Sequence, residues 1–548
     1  MWRYLAPLAA FFLLGGLGCG APHPRLTVTH ALYRPIPGDA SPAPHCARFA
    51  AGQAEWVALQ AVVDARGGPI VVTGVSVDAP VGPGGAGLGE PACYREHWIT
   101  VSKPSPRSPY KPGPWPDALI PTAITPQERS PGATRFHALP APVREGARAI
   151  FYVELKTPPQ APAGLYRGAV TVSLRDAAPL RSEFEVEVFP VRLPDGPTIQ
   201  SDFGSMARAS LYAGIKRYTP ASRDIERLCE RVLMHNRLAP NRPVDSYCGA
   251  AADGTARAEA AADAVRDFMG ILPGSAMQLP IPGPDPWGAG QERSVRFVRA
   301  YMAMLQQNGW ADQAYAYPVD EPASRSDYDR VRAVSKILRR ADPRVRLLLT
   351  EQPRPEKPEW GSLEPNVDIW CPLWAEWDPT PIAEQIARGK QVWSYTALAQ
   401  GARPTPFWLL DHPLLNYRVA LWQSWAEGCT GLLYWCAVEW SHTEDPWLNP
   451  ISYLFFNGEG MLLYPGIDVG MKSPAQSLRL KAIRDGTQDY DLLAMAERRL
   501  GKQRARSLCA PVATTWFDWS RKPEALLASR RALLRALDGA SPRRRTQQ

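Results

Sequence analysis

Short apolar-rich runs, some of them alternating with polar side chains, mark the first third of the chain, at residues 56–63, 70–77, 149–155, 169–174 and 184–191. A period of two sends one side of an extended segment into a core and the other outward, and no helical period of useful length interrupts these runs. They predict a β-sandwich over residues 26–197. Gly164 is expected to supply a turn and Tyr166 to cover the core's edge. The Pro- and Ser-rich stretch 103–128 reads as a long surface excursion, and residues 190–197 as a short stiff linker.

The period changes after Pro197. Ile225, Leu228, Cys229, Val232 and Leu233 fall on one helical face behind a Thr219-Pro220 start. Val295, Val298, Met302 and Leu305 repeat the pattern up to Gly309, and Val331, Val334 and Leu338 repeat it behind an expected cap at Ser326. Between such segments lie buried-strand runs at 200–204, 315–319, 345–350, 367–371, 391–396 and 429–438. Seven or eight βα units fit a (β/α)8 TIM-like barrel over residues 198–450 better than a doubly wound sheet. The fold class is therefore multidomain: a β-sandwich, then the barrel, then a helical C-terminal extension over residues 451–540. In that extension Ser473-Pro474 is expected to start a long helix through Leu480, Ile483 and Tyr490, with Gly486 at a packed crossing or a slight kink. The basic tail 541–548 is expected to be mobile.

Composition narrows the function classes. A formal net charge of +8 is spread along the chain, without the basic stripe of a nucleic-acid-binding surface. Nineteen Trp and nineteen Tyr, crowded towards the C-terminal half, suit a site built from flat rings. Residues 1–19 read as an export signal, with an apolar run ahead of Gly16-Leu17-Gly18-Cys19. That ending resembles a bacterial lipobox, although Gly16 stands where Leu is usual. It predicts membrane attachment through a lipidated Cys19; the competing reading is ordinary cleavage near Ala21, giving a periplasmic or secreted protein. Export permits disulfides, with Cys46 and Cys93 the best pair, but buried free thiols fit the remaining cysteines equally well. No metal motif or phosphate-binding glycine loop is present, and no cofactor is expected.

The candidate chemistry lies in Tyr315-Ala316-Tyr317-Pro318-Val319-Asp320-Glu321-Pro322, where a buried strand delivers two carboxylates to a loop. By itself an Asp-Glu pair beside a proline is as easily a solvated turn. In a barrel, however, all strand ends converge on one face, so the pair is grouped with Asp368, Trp370, Trp393, Tyr395, Trp435, Glu439 and Trp440. Asp320 and Glu321 are the catalytic candidates. Trp370, Trp393, Tyr395, Trp435, Glu439 and Trp440 are the substrate-binding candidates. A general acid must be protonated near neutral pH, a state that partial burial beside a second carboxylate favours.

Several motifs resemble the glycoside hydrolase family 123 catalytic-domain superfamily, many of whose members are described only by a domain of unknown function. They are residues 162–168, Asp320-Glu321-Pro322, Gly431-Leu432-Leu433-Tyr434-Trp435, Tyr464-Pro465-Gly466, Ser477-Leu478-Arg479-Leu480, and the run from Arg484 to Tyr490. The resemblance implies a β-N-acetylgalactosaminidase-like enzyme acting on a glycan with an N-acetylated amino sugar. By motif, Glu321 resembles the general acid/base and Asp320 the residue that orients the substrate's 2-acetamido group, whose oxygen is the nucleophile. The alternatives are a glycosidase of other sugar specificity and a surface lipoprotein that binds glycans without cleaving them.

Overall fold

The computed structural model describes residues 23–251, 253–398 and 403–540. The expected export signal with Cys19, and the basic tail, lie outside them. Ten strands form the N-terminal part: β1 (Arg25–His30), β2 (Arg48–Gln53), β3 (Trp56–Asp64), β4 (Ile70–Val77), β5 (Ala92–Val101), β6 (Gly113–Pro121), β7 (Ala141–Val143), β8 (Arg148–Lys156), β9 (Gly164–Leu174) and β10 (Ala177–Arg192). They make two five-stranded sheets, ordered β1-β3-β8-β5-β6 and β2-β10-β9-β4-β7. Val63, Phe151 and Val153 from the first share an apolar core with Val72, Val170, Val172 and Val186 from the second.

Strand parity gives the first sheet a second task. On β8 the odd residues Phe151 and Val153 enter that core, while Tyr152 and Glu154 point the other way, towards the rest of the molecule. The stretch expected to be a surface excursion contributes β6, an edge strand of this sheet with Trp115 and residues 117–120 buried. Its prolines hid it, because an edge strand tolerates missing N–H groups that a central strand does not. Cys46 and Cys93 do not bridge; the eight described cysteines are free thiols.

The second part is a near-closed parallel barrel of β11 (Gln200–Asp202), β12 (Met277–Gln278), β13 (Ala314–Ala316), β14 (Arg346–Leu349), β15 (Ile369–Trp370), β16 (Gln391–Tyr395) and β17 (Gly431–Leu433). The order is β11-β17-β16-β15-β14-β13-β12. The opening between β11 and β12 is bridged by backbone: Phe203 donates to Ala239, Asn241 to Gly204, and Gln278 to Asn241. Residues 239–241 thus occupy an eighth strand position, and Pro240, which has no N–H to donate, keeps them from a regular ladder.

Around the strands run α1 (Ala207–Tyr212), α2 (Pro220–His235), α3 (Glu259–Ile271), α4 (Gln291–Gln307), α5 (Arg325–Ala341), α6 (Pro379–Ala387), α7 (Leu415–Ala426) and α8 (Leu478–Leu500), followed by α9 (Lys502–Cys509) and α10 (Pro523–Gly539). Thr219 caps α2 as expected, in a reciprocal box with Ser222. Two caps are shifted: Ser324, not Ser326, caps α5, and Ser477, not Ser473, caps α8. In each case the nearer serine hydroxyl takes the amide three residues on, so the helix starts where that bond is available. Gly486 marks a packed crossing: a Cβ there would lie 2.8 Å from Leu421 Cδ2 and 2.9 Å from the Arg418 carbonyl oxygen, both on α7. Among the described residues no helix is long and apolar enough to cross a membrane.

Buried charge joins the two parts. The α8 residue Arg479 binds Asp117 of β6, which also receives Arg34 and Tyr464. One turn along, Lys481 and Arg484 converge on Glu154 of β8. Farther along, Asp489 is held by Arg418 of α7 and Arg530 of α10, and Arg530 also reaches Glu55.

Candidate active site

Alternation along the barrel strands decides what reaches the mouth. Tyr315, Leu348, Ile369, Trp393 and Leu433 fill the barrel interior, whereas Ala316, Leu347, Trp370, Val392 and Leu432 pack outward against the helices. Gly431 allows the interior to close, since a Cβ there would lie 2.2 Å from the Trp393 ring. Above this layer the strand ends enclose a cleft of about 580 Å³, lined in part by Asp202, Asn241, Gln278, Tyr317, Asp320, Glu321, Thr350, Tyr395 and Trp435. That volume suits one or two sugar rings.

Beyond β13 the chain carries Tyr317 inward and then turns. Glu321 has a φ of +38°, which L-residues other than Asn and Asp seldom adopt, and Pro322 follows it. This turn brings consecutive side chains to one cleft, where an extended strand would send them to opposite faces. Thr350, just past β14, holds the turn: its Oγ1 accepts from the Glu321 amide at 2.9 Å and donates to Asp320 Oδ1 at 3.1 Å. The Tyr317 hydroxyl also donates to Asp320 Oδ1. Tyr395, at the end of β16, donates to Glu321 Oε1 at 2.6 Å. Burial, reinforced by the neighbouring carboxylate, raises the pKa of both phenols, so each stays protonated as a donor. The partial burial expected of the carboxylates themselves is absent: Asp320 and Glu321 are exposed to the cleft.

A third acid lies deeper. Asp202, at the end of β11, is buried and accepts from Tyr315 at 2.5 Å and from the Gly204 amide at 2.8 Å. Burial raises its pKa, against the pull of those two bonds. Asn241 donates to Gln278 Oε1 at 3.1 Å, giving the wall beside Asp202 an amide pair.

The remaining sequence candidates separate. Tyr395 and Trp435 line the cleft. The Trp435 indole N–H donates to Glu459 at 2.6 Å, and the Arg208 guanidinium lies 5.1 Å from its ring centre. Burial raises Glu459 to about 7, with Trp435 and Arg479 opposing. Glu439 is fully buried behind the wall, where it receives Arg208 and faces His442 Nδ1 at 2.9 Å. It positions Arg208 and does not itself line the cleft. Trp393 lies within the barrel beneath it. Trp370 lies on the outward face of β15, its indole bonded to Gln385 of α6 at 3.2 Å. Trp440 is buried beside Tyr212, its indole bonded to the Leu463 carbonyl at 2.8 Å. Asp368 precedes β15 and pairs with Arg339 and Lys390, at the opposite end of the strand from the cleft. Trp370 and Asp368 are thus corrected by parity and by strand direction. Thr350, Asn241, Gln278, Asp202 and Arg208 join the site without being sequence candidates, Tyr317 gains a role within the quoted strand, and strand-end position is the one signal that most of them carry.

Among the described residues, no group of His, Cys, Asp and Glu is arranged to hold a metal ion. Residues 291–496 match the family model for the glycoside hydrolase 123 catalytic domain. No curated protein matches the chain. The fold is similar to that of a family 123 glycoside hydrolase from Clostridium perfringens studied for glycolipid glycan hydrolysis. It has a TM-score of 0.66 and 13% identity over 94% of this chain and 98% of that one. A Bacteroides ovatus GH5 xyloglucanase in complex with a XXXG heptasaccharide is more distant, with a TM-score of 0.29 and 9% identity over 80% of this chain and 98% of that one. So is a family 39 glycoside hydrolase from Bacteroides cellulosilyticus WH2, with a TM-score of 0.32 and 8% identity over 76% and 82%.

Proposed function

We propose that this chain, a glycoside hydrolase by its family 123 catalytic domain at residues 291–496, removes terminal β-linked N-acetylhexosamine, N-acetylgalactosamine above all, by substrate-assisted retaining catalysis. The observation that carries the reading is the Asp320-Glu321 turn, in which each carboxylate has one oxygen fixed by a protonated tyrosine. The other oxygen of each is left for the substrate.

In the first step Glu321 gives its proton to the glycosidic oxygen while the acetamido carbonyl oxygen attacks the anomeric carbon. The bond to the leaving sugar breaks and an oxazolinium forms. Asp320, with Oδ1 held by Tyr317 and Thr350, orients the acetamido N–H and opposes the positive charge that develops on it. In the second step Glu321 takes a proton from water as the water attacks the same carbon, restoring the acetamido group with net retention. The substrate supplies the nucleophile, so the two carboxylates need not flank the sugar at the spacing of an ordinary retaining pair. Trp435 offers a ring for a sugar face, with its edge fixed by Glu459.

The two N-terminal sheets are read as the expected β-sandwich, supporting the barrel. Export, with anchoring through a lipidated Cys19, is part of the same proposal and rests on the N-terminal sequence alone. Glu321→Gln is expected to abolish hydrolysis of an N-acetylated aryl β-glycoside without lowering the melting temperature. Asp320→Asn is expected to slow acetamido substrates in particular. Wild-type rates from the Glu321→Gln protein would overturn the assignment.

A further inference from the structure

Next to the catalytic cleft lies a second cavity of about 450 Å³. The two share Ser205 and Asn241 as lining residues and so adjoin each other. Three arginines, Arg217, Arg223 and Arg242, line the second cavity, and their guanidinium groups make no ion pair among the described residues. Arg242 is half-buried between the two spaces: its charge acts on Asp202 in the catalytic cleft and on Glu230 in the second cavity.

The acids that could neutralise the arginines do so poorly. Glu230 points inward and accepts from the Val244 amide at 3.1 Å, and burial raises its carboxyl to about 8. Glu226 is also turned inward, with Ser210 at 3.4 Å, and burial raises its pKa as well. Three arginines against two carboxyls leave the lining with an excess of positive charge. An exposed ring, Tyr218, stands at its edge in a left-handed conformation with φ of +65°.

We propose that this cavity receives an anionic group, a carboxylate or a sulfate ester, on the sugar next to the N-acetylhexosamine held at Asp320 and Glu321. The enzyme's preferred substrates are then acidic glycans. Arginine suits both anions, because its planar fork matches two acceptor oxygens at once. The inference rests on the function proposed above and adds the class of the neighbouring sugar.

The test compares three disaccharides with the same terminal β-linked N-acetylgalactosamine, on glucose, on glucuronic acid and on sulfated glucose. The full-length protein is expected to show kcat/KM at least about tenfold higher for one or both acidic substrates, the scale of one hydrogen bond to a charged group. That ratio is expected to fall towards one in an Arg217→Gln/Arg223→Gln/Arg242→Gln protein with an unchanged melting temperature, and to shrink with added salt. The glucuronic acid and sulfate arms show which anion is taken. Rates on the neutral disaccharide equal to or above both acidic ones, or a ratio indifferent to the triple substitution, would overturn the inference while leaving the proposed hydrolase standing. If no disaccharide is cleaved, the hydrolase reading fails, and calorimetric titration of the Glu321→Gln protein still decides the cavity. Tighter binding of an acidic disaccharide supports it, and equal affinities refute it.

Discussion

At the residue scale, Tyr395 makes the most specific claim. Its hydroxyl is buried, remains protonated and donates to Glu321 Oε1, so in the proposed mechanism it leaves Oε2 to face the scissile bond. Tyr395→Phe removes that donor with little change of shape. It is expected to lower kcat by about tenfold or more, the scale of a hydrogen bond to a charged group, with a smaller change in KM. Steady-state kinetics on an N-acetylated aryl glycoside checks this. Trp435→Ala is expected to act mainly on KM, since it removes a wall of the cleft. Trp370→Phe is expected to leave KM unchanged and lower the melting temperature, because the indole binds Gln385 outside the barrel. Sequence reading could place Asp320 and Glu321 because adjacent acids at a strand end stand out. It could not find Thr350 or Asn241, single polar residues whose role depends on which strand end each meets across the cleft. Trp370 was misplaced by a one-residue error of parity, which moves a strand side chain to the opposite face.

At the element scale, the run from Ser477 to Tyr490 carries two of the motifs on which the resemblance rests, and the structure gives it a supporting task. Arg479, Lys481, Arg484 and Asp489 tie α8 to β6, β8, α7 and α10 through buried charges. Breaking such a network leaves charge unmatched in the interior, so Glu154→Gln is expected to cost about 3–5 kcal/mol in chemical denaturation. Its pH dependence has a definite sign. Burial alone would raise Glu154, but Lys481 and Arg484 together outweigh it and hold the carboxyl at about 2. A folded-state value below the unfolded one contributes stability above the ordinary carboxylate range, which is lost as pH falls from there towards 2. Part of that gain is offset at Lys481, which burial lowers to about 8, so the pair fixes geometry more than it adds net stability. Melting temperatures of the wild-type protein are expected to drop between roughly pH 4.5 and 2, with a shallower drop in Glu154→Gln. The sequence carries no local signal of these pairings, whose partners lie 41 to 362 residues apart.

For the whole molecule, the first N-terminal sheet is shared between two cores. Phe151 and Val153 face the second sheet, while Trp115, Leu119 and Tyr152 join the large core that includes the barrel helices. A fragment of residues 198–540 would expose Arg479, Lys481 and Arg484 without Asp117 and Glu154. It is expected to be insoluble or to lack a cooperative melting transition, and a soluble fragment with wild-type melting behaviour would contradict this. The βα rhythm was visible because buried parallel strands read as apolar runs, and the change of period at Pro197 separated it from the alternating strands before it. The eighth strand position was obscured by Pro240, and the edge strand β6 by its prolines. The proposed mechanism depends on the substrate's own acetamido group. The most direct measurement is the hydrolysis of matched aryl β-glycosides that differ only at carbon 2, with the anomer of the first-formed product read by NMR. Cleavage confined to the acetamido sugar with retained configuration is the predicted result; comparable cleavage of the 2-hydroxy sugar, or an inverted product, would contradict it.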